Sequence, residues 1–217
     1  MSAAKPPGAE SFLPNRASLK ALREAAGGCR GCGLYEDATQ TVFGEGRRNA
    51  RMMLVGEMPG DREDRAGQPF VGPAGRELDR ALEKLGLVRR DLYVTNVVKH
   101  FKFEERGKRR IHQTPKRGEV DACMPWFDNE IKLVRPQAVV ILGATAAKAL
   151  LGSGFGLTRH RGELLDTELA PIVTATIHPA AILRSRDDEA RHRERARFTE
   201  DLRVAVEALE GAARSTA

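Results

Sequence analysis

The chain has 217 residues, of which 41% are hydrophobic and 30% charged, a composition typical of one globular domain with its own core. Lysine and arginine outnumber aspartate and glutamate by 36 to 30, and the pI of about 9.5 favours a polyanionic partner. The sequence has neither an apolar run near the roughly 18 residues of a membrane span nor the apolar segment of a signal peptide. We therefore expect an intracellular, cytoplasmic protein that is monomeric and not attached to a membrane.

Apolar periodicity and the positions of glycine and proline predict alternating helices and strands. In chain order these are a flexible tail (1–14), a helix (19–26), a strand (51–55), a helix (75–85), a strand (92–98), a basic polar loop (101–115), a helix (117–134), a strand (138–142), a helix (143–151), a strand (172–177), a helix (188–209) and a flexible end (211–217). Residues 15–210, between the two ends, are expected to form one domain.

Strands that alternate with helices predict an α/β fold, with three α/β/α layers around a mainly parallel, four-stranded sheet. Such folds bind ligands at the carboxyl ends of their strands. Unusual polar residues stand there: Glu57 and Asp61 after the first strand, Asn96 near the end of the second, and His178 after the fourth. We expect them to converge on one pocket. The alternative is that the glycines and prolines only make turns, and that the polar residues cap helices.

The three cysteines cannot all pair with one another, and intracellular thiols are more often metal ligands or buried groups than disulfides. Cys29 and Cys32 form a C-x2-C pair on a glycine-rich turn, and this spacing lets both thiolates reach one metal centre. A redox pair or an incidental spacing fits the same pattern. The cysteines alone therefore leave the choice open.

Four segments resemble the motifs of the uracil-DNA glycosylase superfamily and occur in that family's order. They are GEMPGD at 56–61, PFVGPAG at 69–75, TNVVK at 95–99 and HPA at 178–180. The resemblance extends over about residues 27–205 and is strongest to the family 4 iron–sulfur enzymes. The segment KRRIHQTP at 108–115 is similar to the added basic loop of the X-type branch, whose members bond covalently to uracil-containing DNA. The resemblance implies a DNA-repair enzyme that excises uracil from single- or double-stranded DNA.

The resemblance also implies a 4Fe–4S cluster as cofactor. Cys123 matches the last cysteine of family 4, and His100 stands where that family usually has another cysteine. The implied cluster ligands are Cys29, Cys32, His100 and Cys123. Three thiolates and one imidazole form an acceptable set for iron. Alternatively, His100 is a strand-end residue and the fourth ligand lies elsewhere. Because excision needs no electron transfer, the cluster is expected to be structural.

Uracil must leave the DNA stack before an enzyme can reach it. The resemblance assigns stacking on the base to Phe70. It assigns recognition of the Watson–Crick edge of the base to Asn96, whose amide can donate to uracil O4 and accept from N3–H but does not match cytosine. The implied uracil-binding residues are Gly56, Glu57, Asp61, Phe70, Asn96 and His178. On their own, Phe70 also fits a core aromatic and Asn96 a strand-end turn.

Cleavage of the glycosidic bond leaves positive charge on the sugar and negative charge on uracil. The resemblance implies that His178 and backbone N–H groups of residues 56–61 donate to uracil O2. It assigns His112 as a nucleophile that attacks C1′ and stays attached, while Glu57 accepts a hydrogen bond from the other ring nitrogen. The catalytic set is then His112, Glu57 and His178. In a rival interpretation water captures the sugar and the enzyme turns over, and without the family His112 is better explained as a phosphate contact.

The implied DNA contacts lie in two segments, Lys108, Arg109 and Arg110 on the basic loop and Leu183, Arg184 and Ser185 after the last motif. The first set is expected to meet phosphates, and the second to enter the gap left by the flipped base. The loop cations are equally compatible with a solvated face, and Leu183 with the core. A rival of another class is a non-catalytic iron–sulfur protein that binds nucleic acid.

Overall fold

The computed structural model describes residues 7–215, without the side chain of Ser215. Its strands are β1 (Glu45–Gly46), β2 (Met52–Gly56), β3 (Tyr93–Asn96), β4 (Phe103–Arg106), β5 (Arg109–His112), β6 (Ala138–Leu142) and β7 (Ile172–Thr176). Its α-helices are α1 (Leu19–Ala26), α2 (Asp61–Ala66), α3 (Pro73–Lys84), α4 (Arg117–Val134), α5 (Ala144–Leu151), α6 (Leu157–His160), α7 (Ala180–Leu183) and α8 (Asp188–Ser215). Short 3-10 turns cover Ala9–Phe12, Gly33–Tyr35 and Arg89–Asp91.

The central sheet has the strand order β1-β3-β2-β6-β7. Strands β3, β2, β6 and β7 are parallel, and β1 is antiparallel to β3. Apolar side chains pack on both faces, with α1, α4 and α5 on one side and α3 and α8 on the other. The predicted three-layer α/β/α fold is therefore confirmed. The bounds of α1, α4 and β6 are those predicted, because helical or strand periodicity there runs unbroken between clear stops.

The sheet has five strands rather than the predicted four. The added edge strand β1 is only two residues long, too short to leave a hydrophobic pattern, and it lies beside Tyr93 and Val94 of β3. Its pairing is the reason that the sheet is mixed.

The segment 101–115 is a β-hairpin and not the predicted loop. Strands β4 and β5 pair antiparallel from Phe103 with His112 to Arg106 with Arg109, which leaves a two-residue turn. Gly107 in that turn has φ 60°, a left-handed conformation that glycine adopts without steric cost. The charged side chains of both strands hide the alternation that would otherwise predict them.

The described parts of both predicted flexible ends contain regular structure. Within the predicted tail, Ala9–Phe12 forms a 3-10 turn that packs against α4, and Ala9 is fully buried. Helix α8 continues beyond the predicted end at residue 209 to Ser215, so most of the predicted flexible end is helical. Among residues 7–215 there is no helix both long enough and apolar enough to cross a membrane.

Candidate active site

The carboxyl ends of β2, β3 and β7 place Gly56, Asn96 and His178 at one edge of the sheet. Gly56 and Asn96 are direct partners in the β2–β3 register. A cavity of about 700 Å³ opens at this edge. Its lining residues are Glu57, Met58, Gly60, Asp61, Arg62, Glu63, Phe70, Pro73, Ala74, Asn96, His112, Thr114, His178, Ala180, Leu183 and Arg184. Residues predicted from four separate segments thus meet in one cavity, as expected for the strand ends of an α/β fold.

Phe70 forms one flat wall of the cavity. Its ring lies 5.7 Å from the ring of His178, with 30° between the planes. Phe70 is buried and has φ 53°, a left-handed conformation that non-glycine residues rarely adopt. Gly56 passes close to this ring, because a Cβ there would lie 2.6 Å from Phe70 Cζ and would collide with Asn96 Oδ1. Glycine at position 56 therefore lets Phe70 and Asn96 stand next to each other.

Two oxygen atoms in the cavity wall lack a hydrogen-bond partner in the part of the chain that the structure describes. Asn96 Oδ1 and Glu57 Oε1 are both buried, and neither makes a hydrogen bond within the described part of the chain. A buried acceptor without a donor costs about 1–3 kcal/mol. Two such acceptors in one cavity indicate a ligand that brings N–H or O–H donors.

The neutral form of His178 is strongly favoured. Burial lowers its pKa, and together with smaller contributions from His112 and Arg184 it brings that pKa to about 4. The backbone N–H of Ala180 donates to His178 Nδ1 at 3.2 Å. Because Nδ1 accepts, the ring proton is on Nε2. His178 therefore offers a neutral N–H donor.

His112 stands at the end of β5 and is exposed at the cavity wall. Its ring lies 6.1 Å from that of Phe101, at an angle of 49°. Glu57 and His112 line the same cavity, but Glu57 Oε1 has no hydrogen-bond partner among residues 7–215. The predicted contact between Glu57 and His112 is thus not made through that oxygen.

Arg110 has a different role from the predicted phosphate contact. Its guanidinium donates to Asp61 Oδ1 at 2.5 Å, to Asp64 Oδ2 at 2.7 Å and to Thr39 Oγ1 at 3.0 Å. It also lies over Phe103, 4.8 Å from the ring centroid. Since these contacts occupy its donors, Arg110 fastens the hairpin to α2. Alternation along β5 places His112 on the same face as Arg110.

Asp61 lines the cavity, but its carboxylate is engaged by arginines. Burial alone would raise its pKa, yet hydrogen bonds from Arg65 and Arg110 keep that pKa below the ordinary value. Asp61 is therefore an anionic anchor for the hairpin, and its direct contact with uracil stays a prediction.

The other predicted DNA contacts divide into two groups. Lys108 and Arg109 are exposed on the hairpin, as a phosphate contact requires. Leu183 and Arg184 line the cavity, and Leu183 is 38% exposed although it is apolar. Ser185 is partly buried beyond α7 and is not among the lining residues.

The three cysteines are free and buried on the α4 side of the sheet. Two N–H groups donate to Cys29 Sγ, Trp126 Nε1 at 3.3 Å and Gly31 N at 3.5 Å. The backbone N–H of Lys99 donates to Cys123 Sγ at 3.3 Å. Burial raises the pKa of Cys32, and it raises that of Cys123 to about 12, with further contributions from the neighbouring cysteines. The three cysteines therefore belong to one buried cluster beside α4.

His100 is buried, and burial lowers its pKa to about 4. Its Nε2 lies 2.8 Å from Thr41 Oγ1, whose single proton goes to the Ala26 carbonyl. Nε2 must then donate, and the lone pair is on Nδ1. Over residues 7–215, no group of three or more His, Cys, Asp or Glu side chains is arranged to hold a metal ion. The predicted ligand set is therefore not gathered into a formed metal site.

An ion pair that the sequence analysis missed lies beneath Asn96. Lys99 Nζ and Glu130 Oε2 are 2.5 Å apart, and their side chains are 1% and 0% exposed. The signal was present, since Lys99 follows the apolar strand and Glu130 lies four residues after Trp126, on the same face of α4. A charged residue at a core position indicates a buried partner.

Comparison with known proteins agrees with this geometry. The family model described as "Uracil DNA glycosylase superfamily" matches residues 43–203. A type-4 uracil-DNA glycosylase of Pyrobaculum aerophilum is 38% identical over 173 residues, which cover 76% of this chain and 85% of the relative. The type-4 enzyme of Thermotoga maritima is 36% identical over 174 residues, covering 80% of this chain and 87% of the relative. That of Sulfurisphaera tokodaii is 37% identical over 174 residues, covering 76% of each chain. The chain belongs to the uracil-DNA glycosylase superfamily.

Proposed function

We propose that the protein excises uracil from DNA. The observation that carries this proposal is the buried Oδ1 of Asn96, which lies next to the ring of Phe70 and has no hydrogen-bond partner among residues 7–215. Uracil supplies what that site lacks, because its N3–H donates to Oδ1 while its O4 accepts from the amide N–H. Cytosine has an unprotonated N3 and an amino group at these positions, so the same amide rejects it. The type-4 names of the similar proteins support this choice of substrate.

Bond cleavage needs stabilisation of the negative charge that develops on uracil. His178 is suited to this task, because its Nε2–H donates without carrying a positive charge. The hydrogen bond from such a neutral donor becomes stronger as negative charge develops on uracil in the transition state. No ion pair has to form before the reaction. Cleavage of the bond between C1′ and N1 leaves the electron pair on uracil and an oxocarbenium-like sugar.

We further propose that His112 captures this sugar, as in the X-type branch that the basic segment resembles. A lone pair of the neutral imidazole forms the new bond to C1′, and the electron pair of the broken bond leaves with uracil. The resulting imidazolium loses its other N–H proton to solvent or to Glu57, and uracil takes a proton from solvent. His112 is exposed at the cavity wall, where an incoming sugar can reach it. Each molecule would then act once.

We also propose that Cys29, Cys32, His100 and Cys123 hold a 4Fe–4S cluster. The chemistry of the donors fits this cofactor, because the three thiols are buried together and N–H groups already donate to two of the sulfurs, Cys29 and Cys123. The His100 lone pair on Nδ1 suits a metal, whereas its Nε2 is held by Thr41. The cluster would tie the segment containing Cys29 to the core and would take no part in excision.

One experiment separates capture from turnover and from simple binding. Purified protein is incubated with a uracil-containing oligonucleotide, and a denaturing gel and an assay of released uracil are run in parallel. A denaturant-stable complex is expected for the wild type. His112→Ser should abolish that complex but still release uracil, because Phe70, Asn96 and His178 are unchanged. His192→Ser, which removes an exposed histidine of α8, is the matched control.

The outcomes have different meanings. Released uracil without a complex in the wild type would leave a hydrolytic type-4 enzyme, in which His112 only assists. If neither released uracil nor a denaturant-stable complex were found, the protein would be one that binds nucleic acid without catalysis. Peptide mapping of the adduct completes the test, and attachment at any residue other than His112 would refute the capture mechanism.

A further inference from the structure

The ammonium group of Lys99 lies directly beneath the residue that we assign to uracil recognition. Lys99 Nζ donates to the backbone carbonyl of Asn96 at 2.6 Å, to Thr95 Oγ1 at 2.8 Å and to Glu130 Oε2 at 2.5 Å. Three bonds saturate the ammonium, which has three donors. One of them holds the Asn96 backbone at the end of β3.

Glu130 fixes the position of that ammonium. Its Oε1 accepts from Tyr93 OH at 2.9 Å, from the backbone N–H of Gly44 at 3.0 Å and from Thr95 Oγ1 at 3.0 Å. Tyr93 and Thr95 lie on β3, while Glu130 lies on α4. The carboxylate thus links α4 to the strand that ends in Asn96, and this buried network is satisfied in both charge and hydrogen bonding.

The carbonyl of Asn96 is held differently from the residues that follow it. Strand pairing is continued just beyond it, where Val97 and Val98 donate to the carbonyls of Gly56 and Glu57, each at 2.9 Å. The Asn96 carbonyl instead accepts a hydrogen bond from Lys99 Nζ. The Asn96 side-chain oxygen has no hydrogen-bond partner within the described chain. Lys99 thus holds the backbone of Asn96, while no hydrogen bond from residues 7–215 holds its side-chain oxygen.

We propose that Lys99, placed by Glu130, is a positioning residue for uracil recognition and acts through Asn96. This inference rests on the proposed function for the identity of the base, and it adds a cause for the orientation of the amide. The charges are not needed for the chemistry, since neither side chain lines the cavity. Their effect is to keep Asn96 Oδ1 and Nδ2 in the plane of the incoming base.

The test variant is Lys99→Met with Glu130→Gln. Removing both charges avoids a buried unpaired ion, and glutamine keeps an oxygen for Gly44 and Tyr93. The matched control is Tyr93→Phe, which removes one hydrogen bond from the same network but leaves the contact between Lys99 and Asn96. We expect the test variant to slow single-turnover excision about tenfold, the loss typical of one charge-assisted hydrogen bond. The control should excise uracil at the wild-type rate.

A double-mutant cycle distinguishes positioning from general support of the fold. If Lys99 acts through Asn96, adding Lys99→Met and Glu130→Gln to Asn96→Ala should slow excision less than twofold beyond Asn96→Ala alone. A full additional tenfold loss in the Asn96→Ala background would overturn the proposal.

A second readout does not depend on catalysis. The side-chain amide resonances of Asn96 in a ¹⁵N spectrum are identified by their absence in Asn96→Ala. They should shift or broaden in the test variant and stay unchanged in Tyr93→Phe. Unchanged resonances in the test variant would overturn the proposal even if the wild type proved not to excise uracil, whereas a shift would support the positioning role independently of the proposed function.

Discussion

Replacing Arg110 tests whether the hairpin must be fastened to α2 for His112 to reach a flipped nucleotide. Arg110→Gln keeps a polar side chain but removes the charge that bonds to Asp61 and Asp64. Breaking a fully buried ion pair costs about 3–5 kcal/mol and an exposed pair at most about 1 kcal/mol. Asp64 is fully buried, while Asp61 is 40% exposed and Arg110 12% exposed. An intermediate cost of about 2 kcal/mol is therefore expected for docking of the hairpin.

That cost has a measurable effect on capture. About 2 kcal/mol lowers the equilibrium constant for docking about 30-fold, so covalent capture should slow by up to that factor. Uracil release should change less, because Asn96 and His178 lie at the ends of β3 and β7 and Phe70 lies just before α3, all outside the hairpin. The assay follows the denaturant-stable complex and released uracil against time in the same reaction.

The matched control is Arg109→Gln, which removes an exposed cation from the same strand. It should lower DNA affinity in a salt-dependent way and leave the ratio of capture to release unchanged. Arg110→Gln with a wild-type capture rate would refute the view that this ion pair positions His112.

Three further results are expected. Asn96→Ala should slow excision about 100-fold in single-turnover assays, because the base edge loses both amide contacts; a wild-type rate would exclude Asn96 from recognition. Cys123→Ala should lose its iron and unfold at a lower urea concentration, as measured by metal analysis and denaturation; anaerobically prepared wild type containing zinc and no iron would contradict the cluster. The folded-state pKa of His178 lies near 4, below its ordinary value of 6.5, so its contribution to stability is present above pH 6.5 and is lost as the pH falls toward 4. Between pH 7 and pH 4.5, the free energy of unfolding measured in urea should fall about 2 kcal/mol less in His178→Gln than in the wild type. An equal fall in both proteins would show that His178 is not buried in its neutral form.

The sequence was sufficient for the layers of the fold because its strands are apolar runs and its helices have clear stops. The 18-residue helix α4 illustrates this, since Pro136 follows its end and its apolar spacing is regular. The hairpin was missed because a two-stranded ribbon with both faces charged has no hydrophobic alternation. Strand β1 was missed because two residues are too few to show the alternation of apolar and polar side chains that predicts a strand.

The candidate site was predictable in its members but not in all of their roles. Glu57, Phe70, Asn96 and His178 follow strands or glycine-rich turns, and topology alone brings such positions together. The role of Arg110 depends on contacts between segments 46 and 49 residues apart in sequence, which local pattern does not encode. The ion pair between Lys99 and Glu130 is likewise visible only after α4 is docked on the sheet.

The left-handed backbone of Phe70 has a consequence for the proposed binding of uracil. Such a backbone conformation costs about 1–2 kcal/mol of conformational free energy. This cost, and that of restricting the ring, is part of the free energy of folding. Its carbonyl is packed against Gly75 so closely that no Cβ fits there, which prevents the segment from relaxing. Phe70 is therefore already ordered before the base arrives. Little further conformational entropy of this wall would be lost on binding.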